Sequence, residues 1–208
     1  RFISSFSEFE RKIINNFAKE LSATQADIYL VMARKAACLI EAFEDMGIVS
    51  LNGMVVSERI LDMSETFLEN FFKNKNVLIV DDTIVSGTTI SFTMHKLINY
   101  NVKSITIKVL TVNSKWYTKE LLDAEYSYAK SKNVDVNIQA YIKLIDADSI
   151  KFCYDIVKGL SVMPNLYDFD FPRFTLGKIK SKKAINMFSM HDGWMYYDTA
   201  TKLQGKHG

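Results

Sequence analysis

Cysteine, proline and glycine are all scarce in this 208-residue chain, which has 2, 2 and 8 of them. So few prolines and glycines exclude collagen-like and proline-rich linker architectures. Cys38 and Cys153 lie far apart in apolar surroundings without a cysteine or histidine at metal-ligand spacing. We therefore expect buried free thiols in a reducing, cytoplasmic setting. Apolar runs such as Val77–Val80 are short, whereas a membrane-spanning helix needs roughly 18 apolar residues, so we expect no membrane contact.

An excess of one charge is also missing. Lysine and arginine number 26 against 24 acidic residues, a net charge of +2, so the balance demands no polyanionic partner. Hydrophobic residues make up 48% and charged residues 24%, which is typical of a folded globule and excludes a disordered chain. A basic stretch at residues 173–183 contains no acid, and it leaves both a nucleic-acid contact and a solvated surface open. The charged residues Glu8–Lys12 follow the first few residues, so we predict no secretion signal.

Hydrophobic periodicity alternates between helix and strand along the chain. Short apolar runs predict strands, and apolar residues at three- and four-residue spacing predict helices. The predicted order is helix 5–22, strand 27–32, helix 36–46, strand 54–56, helix 64–72, strand 76–80, helix 88–100, strand 104–110, helix 119–130, strand 134–144 and helix 150–160. This order predicts an α/β fold with a mainly parallel sheet flanked by helices. Ligands of such sheets bind beyond the carboxyl ends of the strands.

Residues 77–89 carry the clearest chemistry in the sequence. Four apolar residues are followed by Asp81 and Asp82 and then by a small hydroxylated turn that contains Gly87. Glycine permits close backbone approach, and the free amides at the start of the next helix suit an anion such as phosphate. Two carboxylates beside it suit sugar hydroxyls, a hard divalent cation such as Mg²⁺, or both. The residues thus indicate a ribose-phosphate site.

The same stretch resembles the phosphoribosyl pyrophosphate (PRPP) signature of the type I phosphoribosyltransferases, with Thr83 as a mild departure. The resemblance implies that Asp81 and Asp82 hold the ribose hydroxyls, directly or through Mg²⁺. It also implies a Rossmann-like core over residues 27–144, a variable hood that selects the acceptor, and a homodimer. The 5′-phosphate would be bound by five consecutive residues: Val85, Ser86, Gly87, Thr88 and Thr89.

A second loop of that family binds pyrophosphate at the end of the first core strand, and residues 33–37 occupy its place here. Ala33, Arg34, Lys35 and Ala36 are the implied pyrophosphate ligands, with Arg34 at the family's basic position. Lys35 and Ala36 stand where glycines are common. Arg34 and Lys35 would stabilise the leaving pyrophosphate, although a solvated strand end is the other interpretation of this pair.

Two further residues bear on the substrate. Arg59 follows the second core strand, where the family has a mobile lid, and either a weak pyrophosphate contact or a surface pair with Glu58 accounts for it. Val85 stands where enzymes that act on 6-oxopurines tend to carry an acid. A valine cannot perform acid–base chemistry, so hypoxanthine and guanine are disfavoured as acceptors.

We expect a phosphoribosyltransferase-like domain over residues 1–160, with helix 5–22 as part of the hood, and a carboxyl-terminal extension over 161–208 that serves as hood or interface arm. The expected activity is Mg²⁺-dependent transfer of ribose 5-phosphate between PRPP and a nitrogen acceptor, with release of pyrophosphate. The alternative is a non-catalytic module that binds PRPP or a nucleotide, as a regulator or a defence-type effector.

Overall fold

Five short segments pair side by side into one sheet, in the order β2-β1-β3-β4-β5, and every neighbouring pair is parallel. The computed structural model describes residues 8–32, 36, 39–40, 43–44, 47–84, 86–113 and 119–144. The strands are β1 (Ile28–Val31), β2 (Met54–Ser57), β3 (Asn76–Ile84), β4 (Ser104–Asn113) and β5 (Asp135–Leu144). The predicted α/β fold with a parallel sheet is confirmed.

Helices connect the strands, as parallel pairing requires. They are α1 (Glu8–Ala23), α2 (Glu65–Phe72), α3 (Thr88–Asn99) and α4 (Lys119–Ser131), and a 3₁₀ helix (Glu58–Asp62) follows β2. The described residues between 36 and 44 are helical as well. The predicted helix 150–160 and the extension 161–208 lie outside the described residues. Within the described residues, no helix has the length and apolar character needed to cross a membrane.

Helix α1 packs on one face of the sheet through a wholly buried apolar stripe. The Phe17 ring is fully buried and meets the rings of Phe43 and Tyr141 edge-on, at centroid distances of 6.3 and 5.1 Å. Below it, the buried Lys108 of β4 donates to Glu20 of α1 and to Gln139 of β5, both at 3.0 Å. Burial and the Glu20 charge raise the pKa of the Tyr141 hydroxyl to about 12. Apolar packing and this polar cluster therefore hold α1 against β4 and β5.

Strand β3 is longer than the sequence predicts. The apolar run ends at Val80, and we expected the strand to end there, but β3 continues to Ile84. The reason lies in its neighbour: β4 continues to Asn113 and pairs in register with the extra residues, for example at Thr83 with Thr111. Backbone pairing with an extended partner keeps the polar residues in the strand. The acidic pair is therefore part of the sheet and does not follow it.

Candidate functional site

The carboxyl ends of β1, β2 and β3 meet at one edge of the sheet and enclose a pocket of about 240 Å³. Met32 follows β1, Glu58 follows β2, and Asp81 comes from β3 itself. Ser86, Gly87 and Thr89, from the turn and the first residues of α3, complete that wall. Three strands that are neighbours in space but distant in sequence thus build one concave site, where ligands bind in open parallel sheets.

The turn into α3 is built for close approach to its backbone. Gly87 precedes the helix with φ at +82°, in the left-handed region that favours glycine. Ser86 Oγ accepts from the Thr88 amide at 3.3 Å and donates to the Thr88 hydroxyl at 3.0 Å, which holds the turn in shape. Gly87 provides no side-chain cap for helix α3, and the first turn of α3 contains no acidic residue. The partial positive charge of this helix terminus faces the pocket, and no acidic side chain of the helix's own first turn neutralises it.

Asp81 and Asp82 are neighbours in β3, and a hydrogen bond between their side chains contributes to the raised pKa of Asp81. Asp81 lines the pocket, whereas Asp82 does not. Both are buried, at 8% and 5% exposure. Asp82 still supports its neighbour, because its backbone N–H donates to Asp81 Oδ1 at 2.8 Å. Its carbonyl accepts from Thr111 Oγ1 at 3.2 Å, which fixes the strand at this point.

The Asp81 carboxyl has a strongly shifted protonation equilibrium. Burial raises its pKa well above the ordinary value, and the negative charges of Asp82 and Glu58 raise the pKa further. Each of these effects disfavours the ionised form in the free protein. A ligand that brings a cation or hydroxyl donors to Asp81 therefore removes an unfavourable interaction as well as making a new one.

Glu58 is the pocket residue that sequence reasoning missed. It is half-buried at the start of the 3₁₀ helix, and its Oε2 accepts from the buried Ser57 Oγ at 3.1 Å. In the sequence it appears as half of a surface Glu58-Arg59 pair. An acidic residue directly after a strand can belong to a site at the carboxyl ends of the strands. The order of the strands in the sheet was needed to place Glu58 beside Asp81.

The predicted phosphate residues are brought together in part. Ser86, Gly87 and Thr89 share the pocket with Asp81, while Thr88 is exposed and does not line it. Val85 lies outside the described residues.

Of the predicted pyrophosphate ligands, Ala33, Arg34 and Lys35 lie outside the described residues. Ala36 is fully buried with helical backbone. Arg59 belongs to the 3₁₀ helix by its backbone, and its side chain is not described.

The residues present suit a Mg²⁺ ion that arrives with a phosphate ligand. No group of three His, Cys, Asp or Glu side chains is placed to hold a metal within the described part of the chain. Two carboxylates, those of Asp81 and Glu58, nevertheless line the pocket. Mg²⁺ commonly binds through one or two carboxylates plus water and substrate phosphates, so two carboxylates fit this mode.

The family model of the phosphoribosyl transferase domain matches residues 17–142, more than half of the chain. This chain belongs to that family. The match begins within α1 and ends within β5, so it includes all of the pocket. The phosphoribosyltransferase domain that residues 77–89 predict is thereby confirmed.

Solved structures show weaker likeness. A hypoxanthine-guanine-xanthine phosphoribosyltransferase is 15% identical, with 66% of this chain and 74% of that chain covered and a TM-score of 0.45. The Leishmania tarentolae HGPRT-ase in complex with GMP is 16% identical (65% and 77% covered, TM-score 0.40). The Staphylococcus aureus hypoxanthine phosphoribosyltransferase is 18% identical (65% and 74% covered, TM-score 0.42). A comparison with curated proteins gave no match. The family assignment depends on the family model.

Proposed function

We propose that this protein catalyses Mg²⁺-dependent transfer of ribose 5-phosphate between PRPP and a nitrogen acceptor, with release or uptake of pyrophosphate. The observation that carries the proposal is the pocket in which Asp81 lies beside the Gly87 turn and the start of α3. A carboxylate for sugar hydroxyls next to an anion site is the pair of features that a ribose 5-phosphate unit requires.

The 5′-phosphate binds at the turn. Its oxygens accept from the backbone amides that follow Gly87, from the Thr89 hydroxyl, and from the Ser86 hydroxyl once it turns from Thr88 to the phosphate. The helix terminus adds a favourable dipole. The left-handed glycine supports this role, because a bulkier residue there would strain the turn and block the approach to its backbone.

The ribose binds over Asp81, whose carboxylate accepts from the hydroxyls. Asp82, which we first expected to contact the ribose as well, acts in this proposal through its N–H, which holds Asp81 Oδ1. Mg²⁺, when bound with the substrate, neutralises the diphosphate charge.

Arg34 and Lys35 bind the pyrophosphate. Met32 lines the pocket, and the loop that carries both cations begins one residue later, which supports their delivery to the same edge of the sheet. Their charges stabilise the leaving pyrophosphate as the bond to the ribose weakens. Positioning and charge stabilisation suffice for this reaction, and no protein nucleophile is required.

The acceptor is a nitrogen nucleophile such as a nucleobase. Hypoxanthine and guanine belong in the panel because the similar solved enzymes are named for them. Val85 provides no acid for a 6-oxopurine ring, so we expect other acceptors to react faster. We also propose that the protein is a cytoplasmic homodimer. Analytical ultracentrifugation would measure its oligomeric state.

A non-catalytic PRPP-binding module is the second candidate function. Ala36 favours it, because this residue is fully buried in helical backbone at a position where the family commonly has a flexible glycine. A residue buried in the core at this position restricts the backbone movement available at residue 36 itself.

The test is pyrophosphate release from PRPP and MgCl₂ with each of a panel of nucleobases and nucleosides. We expect release with at least one acceptor, loss of release in Asp81→Asn, and unchanged release in the matched control Asp123→Asn, which changes an exposed carboxylate of α4. PRPP binding without release for any acceptor would favour the non-catalytic module. No PRPP binding at all would overturn both functions.

A further inference from the structure

One hydroxyl group of the pocket wall has no hydrogen-bond partner among the described residues. Thr83 of β3 is half-buried and lines the pocket together with Asp81, and its Oγ1 is the buried atom without a partner. A hydroxyl in this state has lost its contact with water and gained no protein contact in return, which is unfavourable. Thr83 is also the residue at which the stretch 77–89 departs from the signature that it resembles.

The threonine beside Thr83 in the sheet is in a different state. Thr111 of β4 pairs in register with Thr83 and is fully buried, and its Oγ1 donates to the Asp82 carbonyl at 3.2 Å. The Thr111 hydroxyl is therefore used by the fold, whereas the Thr83 hydroxyl is not. Rotation about the Cα–Cβ bond moves a threonine hydroxyl between three staggered positions, which gives that of Thr83 a way to turn toward the pocket.

The proposed function leaves one part of the ligand without a contact in the pocket. It places the 5′-phosphate at residues 86–89 and the ribose hydroxyls at Asp81, while Glu58 accepts from the Ser57 hydroxyl at 3.1 Å. The acceptor base, attached to the ribose, has no assigned partner. Thr83 follows Asp81 by two residues on the same strand, a distance of about 7 Å along it. Because a threonine side chain is short, it reaches only those atoms of the base that lie next to the ribose.

We propose that the Thr83 hydroxyl selects the acceptor: it turns toward the pocket and donates a hydrogen bond to a lone pair on the ring edge beside the glycosidic nitrogen. Purines carry such a lone pair at N3 and pyrimidines carry one at O2. A pyridine ring such as nicotinamide has C–H groups on both sides of this nitrogen. The acceptor class is therefore purine or pyrimidine bases. The inference rests on the proposed function, because it assigns a contact within the same site.

The experiment measures the binding of ribose 5-phosphate and of nucleoside 5′-monophosphates in MgCl₂ by isothermal titration calorimetry. The nucleotides are AMP, GMP, UMP, CMP and nicotinamide mononucleotide, the products of the proposed transfer to different bases. Thr83→Val keeps the shape of the side chain and removes the hydroxyl. We expect the tightest-binding purine or pyrimidine nucleotide to lose affinity about three- to tenfold, the effect of one hydrogen bond. Ribose 5-phosphate and nicotinamide mononucleotide should bind both proteins equally.

Three further variants separate the hydroxyl from other effects of the substitution. Thr83→Ser keeps a hydroxyl and should keep the nucleotide affinity. Thr66→Val, which changes an exposed threonine of α2, is the matched control and should leave every affinity unchanged. In thermal unfolding without ligand, Thr83→Val should be at least as stable as the original protein. Thr111→Val should be less stable, because it loses a hydrogen bond.

Several results would overturn this role of Thr83 while leaving the proposed function to be tested by pyrophosphate release. They are unchanged nucleotide affinity in Thr83→Val, and a loss that is equal for ribose 5-phosphate or for nicotinamide mononucleotide. Nucleotides that bind the original protein no more tightly than ribose 5-phosphate would also overturn it, as would a Thr83→Val protein destabilised as much as Thr111→Val. If the original protein binds neither PRPP nor ribose 5-phosphate, the proposed function fails and this role fails with it.

Discussion

Replacing Asp81 by asparagine should make the free protein more stable while abolishing PRPP binding. Asp81 is 8% exposed, and its pKa is raised well above the ordinary value, first by burial and then by its acidic neighbours. The ionised carboxylate is thus a cost to the fold at neutral pH. Asparagine removes that charge and still accepts the N–H of Asp82 at Oδ1.

The gain has a definite dependence on pH. An unfolded aspartate ionises near pH 4, while the folded Asp81 ionises at a higher pH. Its contribution to stability is fully present below about pH 4, where both states are protonated, and is lost as pH rises through the folded pKa. The variant cannot ionise at residue 81, so its advantage is absent near pH 4 and grows toward neutral pH.

The size of the gain follows from the cost of burying a poorly compensated polar group, about 1 to 3 kcal/mol. Each kcal/mol raises the melting temperature of a chain of this size by about 2 to 4 °C. Urea and thermal unfolding at a series of pH values from about 4 to 8 measures the difference between the two proteins. The exposed Asp123→Asn is the matched control. An Asp81→Asn protein that is no more stable at pH 8, or whose advantage is the same at every pH, would show that ionisation of Asp81 does not destabilise the fold.

The other predictions concern the turn and the α1 contact. Gly87→Ala and Gly47→Ala both place a side chain at positive φ, +82° and +70°, so each should cost about 1 to 2 kcal/mol in urea unfolding. Only Gly87→Ala should also weaken PRPP binding, at least tenfold by calorimetry, and equal losses of affinity in both variants would contradict the phosphate turn. Glu20→Ala should destabilise the fold by about 1 to 3 kcal/mol because the buried Lys108 ammonium, 6% exposed, loses one of its acceptors. Lys108→Met should cost less, because Glu20 is 51% exposed and can be hydrated; the reverse order in thermal unfolding would show that the pair does not act this way.

The parallel core was predictable because each central strand is a short apolar run in the sequence. Val77–Val80 and Ile28–Val31 are wholly buried, as the covered faces of a parallel sheet require. The backbone conformation of Gly87 was also predictable, since a glycine in a hydroxylated turn before a helix indicates a positive φ or a close approach to the backbone. Its φ is +82°.

The end of β3 was not predictable from local pattern. Residues 81–83 are polar, and only pairing with the extended β4 keeps them in the strand. This matters for function because Asp81 lines the pocket from within the strand, whereas Asp82 does not line it. The length of a neighbouring strand is a tertiary property that the acidic pair itself does not encode.

Glu58 was missed for a related reason. Its local sequence is that of an ordinary surface pair, and the order β2-β1-β3, which brings it to Asp81, cannot be read from spacing along the chain. The composition of the pocket's acidic wall therefore had to come from the structure.

A crystal structure of the protein with PRPP and MgCl₂ tests the proposed ribose-phosphate site most directly. We expect the 5′-phosphate against residues 86–89, the ribose hydroxyls at Asp81, and the diphosphate on the side of Met32 and Glu58. PRPP bound elsewhere, or bound here with its 5′-phosphate turned away from the Gly87 turn, would show that the pocket is not the ribose-phosphate site.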